Sequence, residues 1–535
     1  MKKLFYIYLL FSFFLFGEKI DFISTYEMWK DPENGFVIYE NDEARVLFIG
    51  SKSLSTDSLG IRPTTSEGMA YGLLLAVANN DQKLFNQFLK YYISVANEYG
   101  CQNTSGPLCN HHCYYLMPWI VDETKRPYFY QSSLHEPSIY SSGSASDADI
   151  QIAWALSLAS KKVCKKQWKD CFFITAQGKL SYKEILKNLY LEISLFDVDL
   201  KTNFLLPGNQ WEKEGNDILF PGYITPQALY ALNSVKWTDY KKTADISDKN
   251  ISLTIQNNSI NPIKIDTLQG VFSCDLETPI IIMPYTSWRT PLSTKIEKPI
   301  KIKAYSCTYP IKSYLICEIK NDKQKWKCNT KNSTQDISSS IDQNNIKLTI
   351  QDGTSFKQVD FEKVYQTLLK RLICYQNTEK TSLIPNKINF CEKSESNWDH
   401  MMSFDAMRFL LWVPASKNLK IDADLILQKI NQNKLIESKL IKCQGMYTFP
   451  EEGINAYTGS CIKEFNSPMP ALNAPILVFA YFTKQKDLFE KLLSAVSSYD
   501  ISKNTPKKSD ATGDSSPYYN AAILLLAKAL LENRL

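Results

Sequence analysis

The run SEGMAYGLLLAVANNDQKLFNQFLKYYISVANEYG, residues 66–100, reads as helix. It opens at Ser66 and places Met69, Leu73 and Val77, then Phe85, Phe88, Leu89 and Tyr92, on one apolar stripe. The same period appears in SDADIQIAWALSLASKKV from Ser146, near Ser181 with Ile185, Leu186 and Leu189, and in TPQALYALNSV from Thr225. It stops at about 243 and returns in FEKVYQTLLKRLICY from Phe361, in FDAMRFLLWVPA, in PALNAPILVFAYFTKQKDLFEKLLSAV and in SPYYNAAILLLAKALLENRL. Between 243 and 356 the pattern is different. ISLTIQ, PIKIDTL, PIIIMPY, KPIKIKAY, SYLICEIK and IKLTIQ are alternating or β-branched runs, punctuated by Asn, Ser, Thr and Pro. A helical domain interrupted by a β domain, a small sandwich of six to eight strands, is the expectation.

The size of the chain agrees with more than one core. It has 535 residues, beyond what a single core usually absorbs. Hydrophobic residues at 44% and charged residues at 22% exclude a wholly disordered chain. The net charge of +5 is too small to argue for nucleic acid, and only four His make a multi-histidine metal centre a poor reading. Aromatics reach 13%, which suits a carbohydrate cleft as well as a large core.

Residues 1–17, MKKLFYIYLLFSFFLFG, carry two lysines and then 13 uncharged residues, Leu4 to Phe16. That run is shorter than the roughly 20 residues of a membrane span. It reads as a signal peptide cut near Gly17, implying a periplasmic or secreted protein with no membrane span after its removal. The 13 Cys fit an oxidising compartment, their odd number leaving at least one unpaired. Cys164–Cys171, Cys374–Cys391 and Cys443–Cys461 are the expected disulfides. CNHHC at 109–113 lacks a second ligand pair and reads as a disulfide with surface His rather than zinc.

Three acidic sites share a local grammar. Glu67 follows Ser66, Asp147 follows Ser146, and Asp405 lies two after Ser403, each where a Ser cap opens an apolar helix. Acids in a first turn favour the helix dipole by ~0.3–1 kcal/mol, and that alone would account for them. The sharper reading is that several helix N-termini place carboxylates around one substrate. Paired carboxyls without metal ligands are what glycoside hydrolysis needs: one protonates the leaving oxygen, the other activates water or attacks carbon.

Five ordered blocks support the sharper reading. RPTTSEGMAYGLLLAVANND, SASDADIQIAWALSLA and SFDAMRFLLW resemble the signature blocks of family 8 glycoside hydrolases. LLPGNQWEKEGNDILFPGYITPQAL and ATGDSSPYYNAAILLLAKAL resemble blocks of that family's periplasmic cellulases associated with bacterial cellulose synthase. The resemblance implies an all-α (α/α)6 barrel, here interrupted by the β-sandwich-like insert, so that the domains are 18–242, 243–356 and 357–535. It implies inverting, endo-acting hydrolysis of β-1,4-linked glucan without a cofactor or metal.

By the same resemblance Glu67 is the general acid, Asp405 the base, Asp147 a sugar contact, and Arg408 and Tyr223 further members of the site. Tyr71, four after Glu67, Trp119 and Trp398 are candidate substrate contacts, each open to a core or a cleft reading, while Trp154 reads as core. Phe404 stands where these relatives usually have Tyr; Phe220 and Gly222 replace the Asn and Ser of their NPSY block. Asp147 and Asp405 are expected to stay ionised while Glu67 holds the proton, with Arg408 on the same helix face helping to keep Asp405 charged. Chitosan or xylan as substrate, and a non-catalytic glycan-binding or assembly protein, are the alternatives. The insert is a candidate contact for glycan or for a partner.

Overall fold

The computed structural model describes residues 22–48, 63–99, 115–127, 143–169, 172–175, 178–209, 218–235, 359–379, 383–389, 401–416, 421–432, 454–455, 470–497, 499–501 and 517–535, together with backbone strands between 252 and 351. The N-terminal apolar run, Trp398, CNHHC and the cysteines at 171, 391, 443 and 461 lie outside them. Two compact units emerge, one predominantly helical and the other with its described strands within Lys236–Gln358. The expected borders were 243 and 356.

Twelve helices are described in the first unit: α1 (Phe22–Trp29), α2 (Ser66–Ala78), α3 (Gln82–Tyr99), α4 (Ser146–Cys164), α5 (Tyr182–Glu192), α6 (Pro226–Asn233), α7 (Phe361–Thr378), α8 (Phe404–Trp412), α9 (Ile421–Gln432), α10 (Pro470–Phe482), α11 (Lys486–Ser497) and α12 (Pro517–Leu531). Two kinds alternate. In α2 every residue is buried except Glu67, and in α12 every residue from Pro517 to Leu530 except Tyr519. Helices apolar on all sides must be covered on all sides. α3, α5 and α7 instead bury one stripe, as in α7 with Val364, Leu368 and Leu372 inward. Neighbours run α2–α4–α6 and α8–α10–α12, and α12 returns to α2. Gln227 of α6 donates to the Trp412 carbonyl of α8 at 2.9 Å. α3 covers α2, α5 covers α4, α7 covers α6 and α11 covers α10. Trp154, expected in the core, is 5% exposed and meets Trp412 edge-on at 5.9 Å.

A π-turn, Ile193–Asp197, follows α5 and delivers Asp197 to the interior. The strand Thr64–Thr65 pairs with Ile120–Val121, and Ser66 N donates to the Trp119 carbonyl at 2.9 Å. Trp119 N in turn donates to Gly143 O at 2.8 Å, so Trp119 bridges the segments that lead into α2 and α4.

The second unit holds nine described strands in two sheets, against the six to eight expected. One sheet runs Ser287–Pro291, Ser252–Asn257, Asn345–Gln351, Asp336–Asp342, with the middle pair parallel. The other runs Ile280–Ile282, Ile263–Gln269, Ile300–Ser306, Tyr314–Ile319, Trp326–Lys331, all antiparallel, and sets Cys317 opposite Cys328 in register.

Cysteine chemistry departs from expectation at one position. Cys164 is an exposed free thiol, so the Cys164–Cys171 bridge is not formed. It is the last residue of α4, at a helix end that closes on its own backbone through Lys165 N to the carbonyls of Lys161 and Val163. Cys374 is disulfide-bonded.

Candidate active site

The serine grammar points at the right helices through the wrong atoms. α2 is capped by Thr65, whose Oγ1 accepts from Gly68 N at 3.0 Å; Ser66 is already helical. The cap position of α4 is Ala145, with no side-chain cap, and the Ser146 hydroxyl donates to the Leu206 carbonyl instead. Ser403 occupies the cap position of α8 without accepting a bond there. That service comes from Asn386, whose Oδ1 accepts from Ser403 N at 3.2 Å and Ala406 N at 3.0 Å. All three helices therefore begin at sites fixed by hydrogen bonds, and each carries its acid in the first turn.

Arg408 joins those three acids. Its Nη1 donates to Glu67 Oε1 and, at 2.6 Å, to Asp147 Oδ2, while Nη2 donates to Asp405 Oδ1 at 2.6 Å. The guanidinium and Asp147 are almost wholly enclosed, whereas the Glu67 and Asp405 side chains keep 21% and 30% of their surface. The two most open carboxyls are thus those expected to act as acid and base, with one guanidinium spanning the gap between them. The guanidinium carbon sits 5.4 Å from the centre of the Tyr223 ring, which stacks on Phe220 at 5.1 Å. Both rings belong to the loop around the short turn Pro221–Tyr223, which packs on α8.

Electrostatics separates the acids. Burial pushes the Glu67 carboxyl up to about 7; Asp147 and Asp405 add to the rise, while Arg408 and a hydrogen bond from Tyr71 oppose it. Burial also raises Asp147, against the pull of Arg408. One positive charge cannot balance three enclosed negative ones, so the cluster favours keeping a proton. Tyr71, left open between a cleft and a core reading, is fully buried and donates its hydroxyl to Glu67 Oε1 at 2.7 Å. Its ring lies 6.4 Å from that of Tyr519. Trp119, left open between the same two readings, is 37% exposed. Tyr519, the residue of α12 left half-buried, acts on both Arg408 and Glu67 and was given no role from the sequence. Its signal was the YYN of the last block, 452 positions after Glu67 in the chain.

Residues 54–261 match the family model "Glycosyl hydrolases family 8". That match covers less than half of the chain. Among the relatives of this chain, "Endoglucanase A" of Acetivibrio thermocellus is 29% identical over 200 residues, covering 37% of this chain and 34% of the relative. "Endoglucanase" of Salmonella typhi is 29% identical over 185 residues, 34% of this chain and 42% of the relative. The match with this chain thus spans about a third of the first relative's length. A crystal structure of a reducing-end-xylose releasing exo-oligoxylanase complexed with xylose superposes with a TM-score of 0.51 at 13% identity, covering 98% of this chain and 96% of that one. This shows a shared fold. Among the described residues of this chain, no helix is long and apolar enough to cross a membrane.

Proposed function

We propose that this protein is an endo-acting, inverting glycoside hydrolase of β-1,4-glucan, built on an (α/α)6 barrel. α2, α4, α6, α8, α10 and α12 would form the inner ring, and the β unit would be an insert between α6 and α7. The observation that carries the reading is the Glu67–Arg408–Asp405 arrangement, with Glu67 raised to about 7 and Asp405 held on the other nitrogen of the guanidinium. The relatives' endoglucanase names and the family match favour glucan as substrate.

In this reading Glu67 gives its proton to the glycosidic oxygen as the bond from the anomeric carbon breaks. Asp405 takes a proton from a water whose oxygen bonds to that carbon from the opposite face. When Glu67 is protonated, Arg408 remains fixed by Asp147 and Asp405. Tyr71 holds the Glu67 carboxyl in one orientation. Asp147, Tyr223, Tyr519, Trp119 and Trp398 are the proposed sugar contacts. A periplasmic or secreted location, and a glycan or partner contact through the insert, belong to the same proposal.

The test is release of reducing ends together with loss of viscosity on carboxymethyl cellulose, with chitosan and xylan as parallel substrates. Activity on the cellulose derivative with an early fall in viscosity supports an endo-glucanase. Activity on chitosan or xylan alone changes the substrate, and activity on none of the three overturns the hydrolase reading.

A further inference from the structure

Beneath the first turn of α4 lies a second pair of acids that the proposed chemistry does not use. Asp149 is two residues after Asp147 and fully buried, and so is Asp197 at the end of the π-turn. Asp149 Oδ1 accepts from the Tyr92 hydroxyl at 3.2 Å. Its Oδ2 is enclosed without a hydrogen-bond partner among the described residues, and the Asp149 carboxyl meets both the Ser144 hydroxyl and the Asp197 carboxyl. Two carboxyls in hydrogen-bond contact in a buried interior disfavour both being charged, and an orphaned acceptor against a second acceptor is satisfied by a proton between them.

We infer that Asp149 and Asp197 share one proton, and that this couple is a positioning element that locks the start of α4 and thereby fixes Asp147 against Arg408. The surrounding bonds show what is locked. Ser144 Oγ donates to Asp197 Oδ1 at 3.4 Å, the Asp197 carbonyl accepts from Leu206 N at 2.8 Å, and the Leu206 carbonyl accepts from the Ser146 hydroxyl. Ser146 N donates to Pro207 O at 3.1 Å. The turn from Ser144 to Asp149 is therefore clasped on both sides of Asp147 by the segment around Asp197 and Leu206.

The titratable groups around the couple are few. Tyr92 faces it from α3, and Glu192 of α5 stands behind Tyr92 and is itself occupied by Tyr115 N at 2.8 Å. Asp147 lies on α4 itself, two residues before Asp149, with Arg408 on its far side. No cation is among the groups acting most strongly on Asp149, and burial followed by Asp197 raises it well above the ordinary carboxyl range. The native state then binds a proton that the unfolded chain releases. The stability it contributes is present at low pH and is lost as pH rises through the folded value.

The inference about positioning rests on the hydrolase reading; the inference about the proton does not. Infrared difference spectra of the full chain at alkaline pH, parent minus Asp149→Asn, should show the carbonyl stretch of one protonated carboxyl. The alkaline fall in Tm should be present in the parent and flattened in Asp149→Asn, whose amide supplies the donor permanently. With soluble cello-oligosaccharides, Asp149→Asn should keep kcat within about twofold, whereas Asp149→Leu should lower it at least ~10-fold with KM less affected, as misplaced catalytic groups do. Absence of the infrared band overturns the shared proton, even if Asp149→Leu fails to fold. A folded Asp149→Asn as impaired in kcat as Asp149→Leu overturns the positioning role. A parent inactive on every glycan, with the band present, refutes the hydrolase reading and leaves the proton standing.

Discussion

The carbonyl oxygen of Asp405 lies 1.8 Å from where a Cβ on residue 222 would stand, so Gly222 is what lets the Tyr223 turn seat against α8. The carbonyl carbon of Asp405 would be 2.8 Å away and the Arg408 Cβ 3.3 Å. Gly222→Ala must push the turn off the helix that holds both residues. We expect a loss of at least ~1–3 kcal/mol, as for overpacking, read by chemical denaturation. Activity should fall further than stability, because Tyr223 and Arg408 separate. A Gly222→Ala protein with parental kcat would show that this contact does not matter to the site.

Glu67→Gln removes the transferable proton but keeps the acceptor for Tyr71. We expect kcat to fall at least ~100-fold, the low end of acid–base contributions. The parent should lose activity as pH rises past about 7, the value to which Glu67 is raised. Stability has the same sign: a carboxyl raised from 4.5 to about 7 stabilises fully below 4.5, and that contribution fades as pH rises through 7. The Tm of Glu67→Gln should therefore fall less than that of the parent between those two limits. Parallel Tm profiles would place the elevated group elsewhere.

Asp405→Asn keeps shape and one acceptor for Arg408 while removing the proposed base. Turnover should drop by ~100-fold or more with oligosaccharide binding retained. Proton NMR of fresh parental hydrolysate should show the α-anomer first from a β-glucan. An initial β-anomer would mean retention, and near-normal turnover in Asp405→Asn would mean that another carboxyl activates the water.

Arg408→Met leaves three acids facing one another without their cation. Removing one member of an enclosed ionic cluster typically costs about 3–5 kcal/mol, so a large fall in Tm at neutral pH is expected, partly recovered at acid pH as the carboxyls protonate. Arg408→Lys should recover charge without the fork that serves three acids, restoring Tm more than kcat. Equal recovery of both would reduce Arg408 to a point charge.

The helices were legible because burial leaves a periodic trace: α2 and α3 follow from the spacing of Met69, Leu73 and Val77 and of Phe85, Phe88 and Tyr92. The acids were legible as first-turn residues and, more sharply, through the quoted blocks. What holds them was not. The Asp405–Arg408 pair is three residues apart and was expected, but Arg408 reaches Glu67 across 341 positions and Asp147 across 261. Asn386, which caps α8 from another segment, and Asp197, which meets Asp149 from a π-turn, have no local pattern that marks them. Tertiary packing creates those contacts, and periodicity carries no record of a partner in another element. Cys164 failed for a related reason, since closeness in sequence says nothing of which way a helix end points its thiol.

That Glu67 is the lone residue of α2 left unburied has a bearing on inheritance. A saturation mutational scan of this helix should find abundance in the cell sensitive at nearly every position, since each side chain from Met69 to Val77 is packed. Glu67 should stand apart, with many substitutes accumulating to normal levels and almost none supporting growth on the substrate. Selection on folding and selection on catalysis would then act on separate residues of one helix, and Glu67 would be kept by the second alone.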